Sequence, residues 1–238
     1  MDTFQETREA ITMNNLQLSL ALLSEPKKAL EELRERPSFW FPLLLIAFGT
    51  ALAIVVYFQH VDMAWFTDYL GSLDPKMAKA GESVPAMSRD MLMWTSLTAV
   101  IISIPIMRMV EAAYYLLAGK VTNLGQAYGH WLALACWSSL PLLLSLVIGL
   151  ILLFMHPTGQ ISQEQLNVLS LNELLFHVAP GSKWHTLATT LTLLHPWAWG
   201  LAAYGVRVWS GRSWGFSVGF SLLPWAVFYG VWALIAAI

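Results

Sequence analysis

Three ionisable side chains stand inside strongly apolar stretches of the chain or at their edges. Arg108 and Glu111 are three residues apart, so on a helix they share one face and can form an ion pair. His195 lies in a later apolar stretch and directly precedes a proline. Within a bilayer, such groups pair with one another, bind a ligand or move a proton. Arg108, Glu111 and His195 are therefore the candidates for a lipid-headgroup site or for a pathway through the protein.

Each candidate also has a purely structural interpretation. Counted from Met91, Arg108 is the eighteenth residue of its stretch, where its long side chain can reach the headgroups with Glu111 beside it. A neutral His195 can be hydrogen-bonded to a neighbouring helix instead of relaying protons. The sequence leaves both alternatives open.

Catalytic and metal-binding patterns are absent from the sequence. It contains no HExxH pair, no P-loop, no GxSxG elbow, no dinucleotide-binding glycine fingerprint and no carboxylate pair inside an apolar stretch. The lone cysteine, Cys136, falls within an apolar stretch and is expected to be a small buried hydrophobe. We expect no catalytic residues, no metal and no cofactor, which disfavours an enzyme.

The composition is that of a membrane protein. Of the 238 residues, 57% are hydrophobic and 12% are charged, whereas a soluble domain has about 25% charged residues. A water-exposed surface needs more charges than this, so lipid is the simplest environment for the exterior. The net charge of -2 provides no basic surface for nucleic acid. Membrane lipids are therefore expected partners, and nucleic acid is not.

Five charge-poor stretches are long enough to cross a bilayer, which takes about 20 mostly apolar residues per helix. They are residues 40–58, 91–110, 131–155, 186–206 and 214–238. Such continuous runs lack the alternation of a membrane barrel, so strands are excluded as spanning elements. The sequence predicts an all-α polytopic bundle of five transmembrane helices over residues 39–238, preceded by an N-terminal segment, residues 1–38.

Two short helices are predicted outside the spans. In the N-terminal segment, Pro26 suits the first turn of an amphipathic helix and Ser24 suits its cap. The apolar face of that helix consists of Ala29, Leu30 and Leu33, and its basic residues are placed to meet anionic headgroups. In the long loop 156–185, residues 163–178 suit a helix that lies along the membrane surface.

Four of the five spans have an interior proline, which removes a backbone hydrogen bond and clashes with the preceding turn. These prolines are Pro105, Pro141, Pro196 and Pro224, and each predicts a kink or a local opening. Broken helices often line a transporter cavity. Membrane helices also carry more proline than soluble ones, so the pattern has a structural alternative.

Two pairs of glycines spaced by four residues predict grooves for close helix packing. Gly125 and Gly129 stand near the start of the third predicted span, and Gly215 and Gly219 near the start of the fifth. Each groove suits either a helix of the same chain or a helix of another subunit, which would be a membrane-protein partner or a second copy.

The distribution of Lys and Arg predicts the orientation, because cytoplasmic flanks carry more of these residues. With a cytoplasmic N-terminus, nine of the 13 Lys and Arg residues fall on the cytoplasmic side. An odd number of spans then places the C-terminus on the opposite side of the membrane.

Two segments resemble the Yip (Ypt-interacting protein) family, in its bacterial form. Residues 24–46, SEPKKALEELRERPSFWFPLLLI, are similar to the family's N-terminal signature of a short proline-bounded helix followed at once by a span. Residues 114–144, YYLLAGKVTNLGQAYGHWLALACWSSLPLLL, resemble its central segment. The resemblance implies a non-catalytic, five-span protein of a bacterial inner membrane, and eukaryotic relatives are tied to vesicle trafficking and small GTPases.

The sequence leaves two candidate functions open. The first is a non-enzymatic membrane protein that acts through helix association with a partner or with itself, in membrane organisation or trafficking. The alternative is a transporter, channel or lipid-moving protein with a cavity between the proline-kinked helices.

Overall fold

The computed structural model describes residues 13–73 and 88–238, which form helices and connecting loops with one isolated antiparallel bridge. The predicted all-α class is confirmed for these residues. The helices in chain order are α1 Asn15–Ser24, α2 Pro26–Glu35, α3 Trp40–His60, α4 Met63–Leu73, α5 Arg89–Val121, α6 Tyr128–Ser138, α7 Leu143–Met155, α8 Gln163–Leu166, α9 His185–Thr190, α10 His195–Ser210 and α11 Trp214–Ala237.

Four helical stretches in the described residues are long and apolar enough to cross a membrane. They are α3 with 21 residues, α5 with 33, the joined stretch Tyr128–Met155 with 28, and α11 with 24. They contain the first, second, third and fifth predicted spans. Helix α5 continues through Val121, beyond the predicted end of the second span at residue 110, because no proline follows Glu111 before the Thr122 cap and most of the intervening residues favour helix.

The fourth predicted span, residues 186–206, is not one continuous helix. Helix α9 ends at Thr190 and α10 begins at His195, with Leu191 in an extended conformation between them. Pro196 has no N–H to donate, and its ring would clash with the carbonyl four residues earlier in a continuous helix. The sequence predicted a kink or a local opening at Pro196, and the interruption lies directly before this proline, so residues 186–206 are not among the stretches long and apolar enough to cross as one helix.

The freed backbone groups in this interruption are bonded to the preceding loop. The Leu171 N–H donates to the Leu191 carbonyl at 2.7 Å, and the Leu193 N–H donates to the Leu169 carbonyl at 2.8 Å. Ser170 and Thr192 form the isolated bridge between these bonds. Irregular backbone is tolerated inside a membrane protein where its polar groups are satisfied in this way.

The same pairing explains why residues 163–178 do not form the predicted surface helix. The chain is helical at Gln163–Leu166, turns through irregular residues, and adopts a π-helical turn at Asn172–Phe176. The polar residues Ser170 and Asn172 are buried, whereas a helix lying along the membrane surface would expose its polar side chains. The loop packs into the bundle, and that prediction is corrected.

In the described ranges, buried residues concentrate in two clusters at opposite ends of the long helices, which are named outer and inner after the predicted orientation. The outer cluster contains Tyr57, Phe58, Val61, Phe66, Leu153 and Ile161. At this end, His60 Nε2 lies 2.9 Å from the His156 carbonyl oxygen, and the Asp62 N–H donates to the Gly159 carbonyl at 3.0 Å. The inner cluster is larger and gathers residues of α1, α2, α5, α6, α10 and α11 around the fully buried Trp131.

Helix α2 belongs to this inner cluster. Ala29, Leu30 and Leu33 are each 1% exposed, because they pack against the bundle and not against lipid. The indole N–H of Trp209 donates to the Leu30 carbonyl at 2.7 Å, and the indole N–H of Trp137 donates to the Ser38 carbonyl at 2.6 Å. Two tryptophans thus attach the N-terminal segment to the spans.

The start of α2 differs from the predicted one. Glu25 is its N-cap residue, whereas Ser24 ends the preceding helix and its hydroxyl donates to the Leu20 carbonyl at 3.0 Å. That preceding helix, α1, was not predicted. The sequence feature that marks the start of α1 is a capping box formed by Asn14 and Gln17. The side chain of each residue accepts a hydrogen bond from the backbone N–H of the other.

Gly215 and Gly219 lie on α11, whereas Gly125 lies in the turn before α6, so Gly125 and Gly129 do not form the predicted groove on one helix. Nothing lies within 4 Å of a Cβ built at Gly125, Gly129, Gly215 or Gly219. Close intrachain packing uses a different glycine: a Cβ at Gly205 in α10 would collide with Leu134 of α6.

The four prolines have different surroundings. Pro105 and Pro224 lie inside the continuous helices α5 and α11. Pro141 lies in a 3-10 turn, Leu140–Leu142, that separates α6 from α7, and Pro196 lies in the first turn of α10.

Replacing Trp209 by phenylalanine keeps an aromatic ring but removes the bond to Leu30. We expect a loss of about 1 kcal/mol, the net contribution of one hydrogen bond, because the Leu30 carbonyl keeps its bond within α2. Thermal unfolding in detergent measures it. Trp197→Phe is the control, since Trp197 is 42% exposed; equal effects of the two changes would contradict the role given to Trp209.

Candidate functional site

Arg108 and Glu111 form a buried ion pair on α5. Arg108 Nη1 lies 2.7 Å from Glu111 Oε2, and the two side chains are 15% and 5% exposed. The spacing of three residues places both on the same face, which turns inward against α6 and α11. Burying either charge alone would be costly, so the pair is retained as a unit.

Neighbouring helices complete the surroundings of the pair. The Tyr115 hydroxyl donates to Glu111 Oε1 at 2.8 Å, and Arg108 Nη1 donates to the Ala135 carbonyl of α6 at 3.3 Å. The Arg108 guanidinium also lies 5.7 Å from the centre of the Trp225 ring of α11, a cation–π distance. One ion pair therefore joins three helices.

His195 begins α10, directly after the interruption. Its Nδ1 accepts the Thr192 backbone N–H at 3.0 Å and lies 2.9 Å from the Thr192 hydroxyl. Because Nδ1 accepts, neutral His195 carries its proton on Nε2. The ring packs against Trp199 and Tyr229, with centroid distances of 5.4 and 6.4 Å.

The three ionisable candidates line one small cavity. Its volume is about 20 Å³, and its other lining residues are Ser138, Ser139, Leu142, Ala198, Trp199 and Trp225. This volume holds about one water molecule. The structure brings His195 to Arg108 and Glu111, although His195 comes from a segment far from theirs in the chain.

Two helix interruptions meet at this cavity. Ser138 and Ser139 end α6 just before the turn containing Pro141, and their hydroxyls donate to the Ala135 and Cys136 carbonyls at 3.4 and 2.8 Å. His195 stands at the second interruption. Discontinuous helices that converge on charged side chains are typical of ligand and ion sites in membrane proteins.

Sequence reasoning missed the aromatic part of the site. Tyr115 stands four residues after Glu111, a spacing that would have predicted their contact. Trp225 and Trp199 carry no comparable signal, because they reach the cavity from other helices.

A second polar group lies at the outer end, outside the spanning helices. The Tyr69 hydroxyl donates to Glu164 Oε2 at 2.6 Å, and His185 Nε2 lies 4.0 Å from Glu164 Oε1. Burial, and then the bond to the Glu164 carboxylate, raises the pKa of Tyr69 to about 12. The contact between Tyr69 and Glu164 links α4 to α8. Among the described residues, no group of three His, Cys, Asp or Glu side chains is placed to hold a metal ion.

Long apolar helices around one buried ion pair define an all-helical integral membrane protein. The model of the Yip1 domain matches residues 20–235, and the chain belongs to that family. The resemblance of the sequence to the Yip family is thereby confirmed. Comparison with curated proteins and with solved structures finds no significant match.

Breaking the ion pair on one side is expected to destabilise the fold. Arg108→Leu leaves Glu111 buried without its cation, which should lower the free energy of unfolding by about 3–5 kcal/mol. The double change Arg108→Leu with Glu111→Leu should recover most of this loss, because no charge remains buried. Thermal unfolding in detergent compares the variants.

The control for this series is Arg34→Leu, since Arg34 is exposed on α2 and its loss should change little. If the double variant were as unstable as Arg108→Leu, the expectation would be contradicted. The ion pair would then stabilise the fold by more than the neutralisation of each charge by the other.

Proposed function

We propose that this Yip-family protein is a non-enzymatic membrane protein that associates through its helices with a membrane-protein partner or a second copy, and so organises the membrane. The observation that carries this proposal is the contrast between a closed polar centre and an open glycine surface on α11.

The polar centre is suited to holding helices together. Glu111 neutralises Arg108, and the cavity beside them holds about one water molecule. Arg108 also contacts α6 and α11. These contacts support a structural role for the pair, with no room for a solute in this conformation.

The depth of the pair supports the same role. Arg89, which donates to the Val61 carbonyl at the outer end of α3, precedes Arg108 by 19 residues in α5. That separation is about 28 Å at 1.5 Å per residue, and the hydrocarbon layer is about 30 Å thick. We propose that the pair lies near the inner edge of the bilayer.

The glycine surface of α11 is suited to a second helix. Gly215 and Gly219 are exposed, and Val218 between them is 39% exposed. Small residues spaced by four let another backbone approach closely in lipid. Since no described residue of the chain occupies this surface, an intermolecular partner is the use we propose for it.

We also propose five crossings, with a cytoplasmic N-terminus and a periplasmic C-terminus in a bacterial inner membrane. Arg212 Nη2 donates to the Thr122 carbonyl at 3.1 Å, and Trp209 is bonded to Leu30. The N-terminal segment and two turns therefore share one end of the bundle. This end carries most of the Lys and Arg residues, as the cytoplasmic side does.

Substituting both glycines tests the association. Gly215→Leu with Gly219→Leu should reduce crosslinking of the protein to its partner or second copy by about tenfold, the factor for about 1.4 kcal/mol of lost packing. Crosslinking in native membranes followed by mass spectrometry measures the yield. Gly200→Leu is the control, because Gly200 is exposed but stands outside any small-residue pair. A strict monomer in the wild-type membrane would refute the proposal.

A second candidate function is movement of a proton, an ion or a lipid through the polar centre. It is favoured by the convergence of two helix interruptions on Arg108, Glu111 and His195.

Reconstitution into liposomes separates the two candidates. For the association function, we expect ion, solute and lipid-flip rates equal to those of protein-free vesicles. A rate well above this background that is lost in His195→Ala, with folding unchanged, would favour the second candidate and count against the first.

A further inference from the structure

A groove of about 210 Å³ lies between α3 and α7, apart from the ion-pair cavity. Thr50, Ala53 and Tyr57 line it from α3, and Ser145 and Gly149 line it from α7. Leu146, Leu150 and Leu153 make the α7 wall largely apolar. We propose that this groove binds one acyl chain of a glycerophospholipid, with the headgroup at its α8 end.

The position of the groove restricts what can enter it. Both walls belong to helical stretches long and apolar enough to cross the membrane, so at this depth the groove would meet lipid chains or the helix of another protein. Ala53 and Ser145 are half-buried, which leaves the groove accessible from the side.

Helix α8 excludes a transmembrane helix from the groove. The Leu166 carbonyl oxygen would be 3.1 Å from a Cβ at Gly149, so α8 closes the outer end of the groove against the α7 backbone. A helix is about 10 Å across and would have to continue through this point to cross the bilayer. A flexible acyl chain can enter from the side and end within the groove.

The outer end of the groove provides polar groups for a headgroup. Gln163 exposes its side chain there, and Asn167, whose amide donates to the Thr189 carbonyl at 2.9 Å, lies beside it. The Glu164 and Tyr69 pair lies on the same side. An apolar groove with a polar end matches an amphiphile, which has both parts.

Ser145 provides a way to fill the groove from its deep end. Its hydroxyl oxygen is buried and has no hydrogen-bond partner among the described residues. Replacing it by leucine removes an unsatisfied polar group, so this change should not weaken the fold. Ala53→Phe fills the groove from the opposite wall.

The test uses the full-length protein in phosphatidylcholine vesicles that contain a trace of phosphatidylcholine with a diazirine at the end of one acyl chain. After photolysis, mass spectrometry of peptides locates the labelled residues. In the wild-type protein we expect labelling concentrated on the α3 and α7 groove residues relative to the exposed face of α5.

Ala53→Phe and Ser145→Leu should each reduce groove labelling by about tenfold, since displacing a chain from a filled site costs about 1.4 kcal/mol or more. Ala99→Phe is the matched control, because Ala99 is exposed on α5 and its change leaves the groove free. Should Ala53→Phe fail to fold, Ser145→Leu and the wild-type distribution still decide.

Uniform labelling of all lipid-facing helices would overturn the proposal, as would undiminished groove labelling in the folded variants. A protein crosslink at Ala53 in native membranes would assign the groove to a partner helix and also overturn it. Neither result bears on the α11 glycine surface, so this test is independent of the association proposed above.

Discussion

The arrangement of the bundle depends on the cost of burying charge. Arg108 and Glu111 are held in the protein interior because each neutralises the other, and the remaining hydrogen-bonding capacity is directed to Tyr115 and to a carbonyl of α6. Since the guanidinium also faces Trp225, the ion pair sets the positions of α5, α6 and α11 relative to one another. Hydrogen bonds and ion pairs depend on the orientation of their partners, whereas hydrophobic contacts do not. The polar centre therefore restricts the relative positions of these helices more strongly than apolar packing does.

A second constraint acts on the backbone. Every N–H and carbonyl within the membrane needs a partner, and the two interrupted helices meet that need differently. At the first interruption, the hydroxyls of Ser138 and Ser139 donate to carbonyls of their own helix. At the second, the loop before α9 supplies Leu169 and Leu171, which bond to Leu193 and Leu191. The long outer loop is therefore part of the bundle and not a surface connection.

Between the inner and outer clusters, the helices face lipid over most of their length. The four long stretches have at most 28% of their most apolar window buried, so most residues of these windows keep part of their surface exposed. Stability comes from the two ends, where aromatic residues and the N-terminal helices pack. The lipid-facing surfaces between them, including the α11 glycines and the groove beside α3, are where partners and lipids have access.

Local chemistry explains how much of this could be predicted. Hydrophobicity and the length of charge-free runs identified α3, α5, α6 with α7, and α11, because burial in lipid selects composition residue by residue. The spacing of Arg108 and Glu111 was enough to predict their pairing, and the proline-bounded helix was enough to suggest the family. These are properties of segments shorter than about one span.

Tertiary structure decided what depends on contacts between distant segments. The four prolines look alike in the sequence, yet helices are interrupted at Pro141 and Pro196 and continuous through Pro105 and Pro224. An interruption needs outside partners for its backbone, and those partners lie elsewhere in the chain. The apolar face of α2 likewise suits lipid or protein equally well, and only the fold shows that Trp209 and the inner cluster cover it. The sequence of a segment determines which of its side chains favour burial, whereas the tertiary structure determines which neighbouring segment buries them.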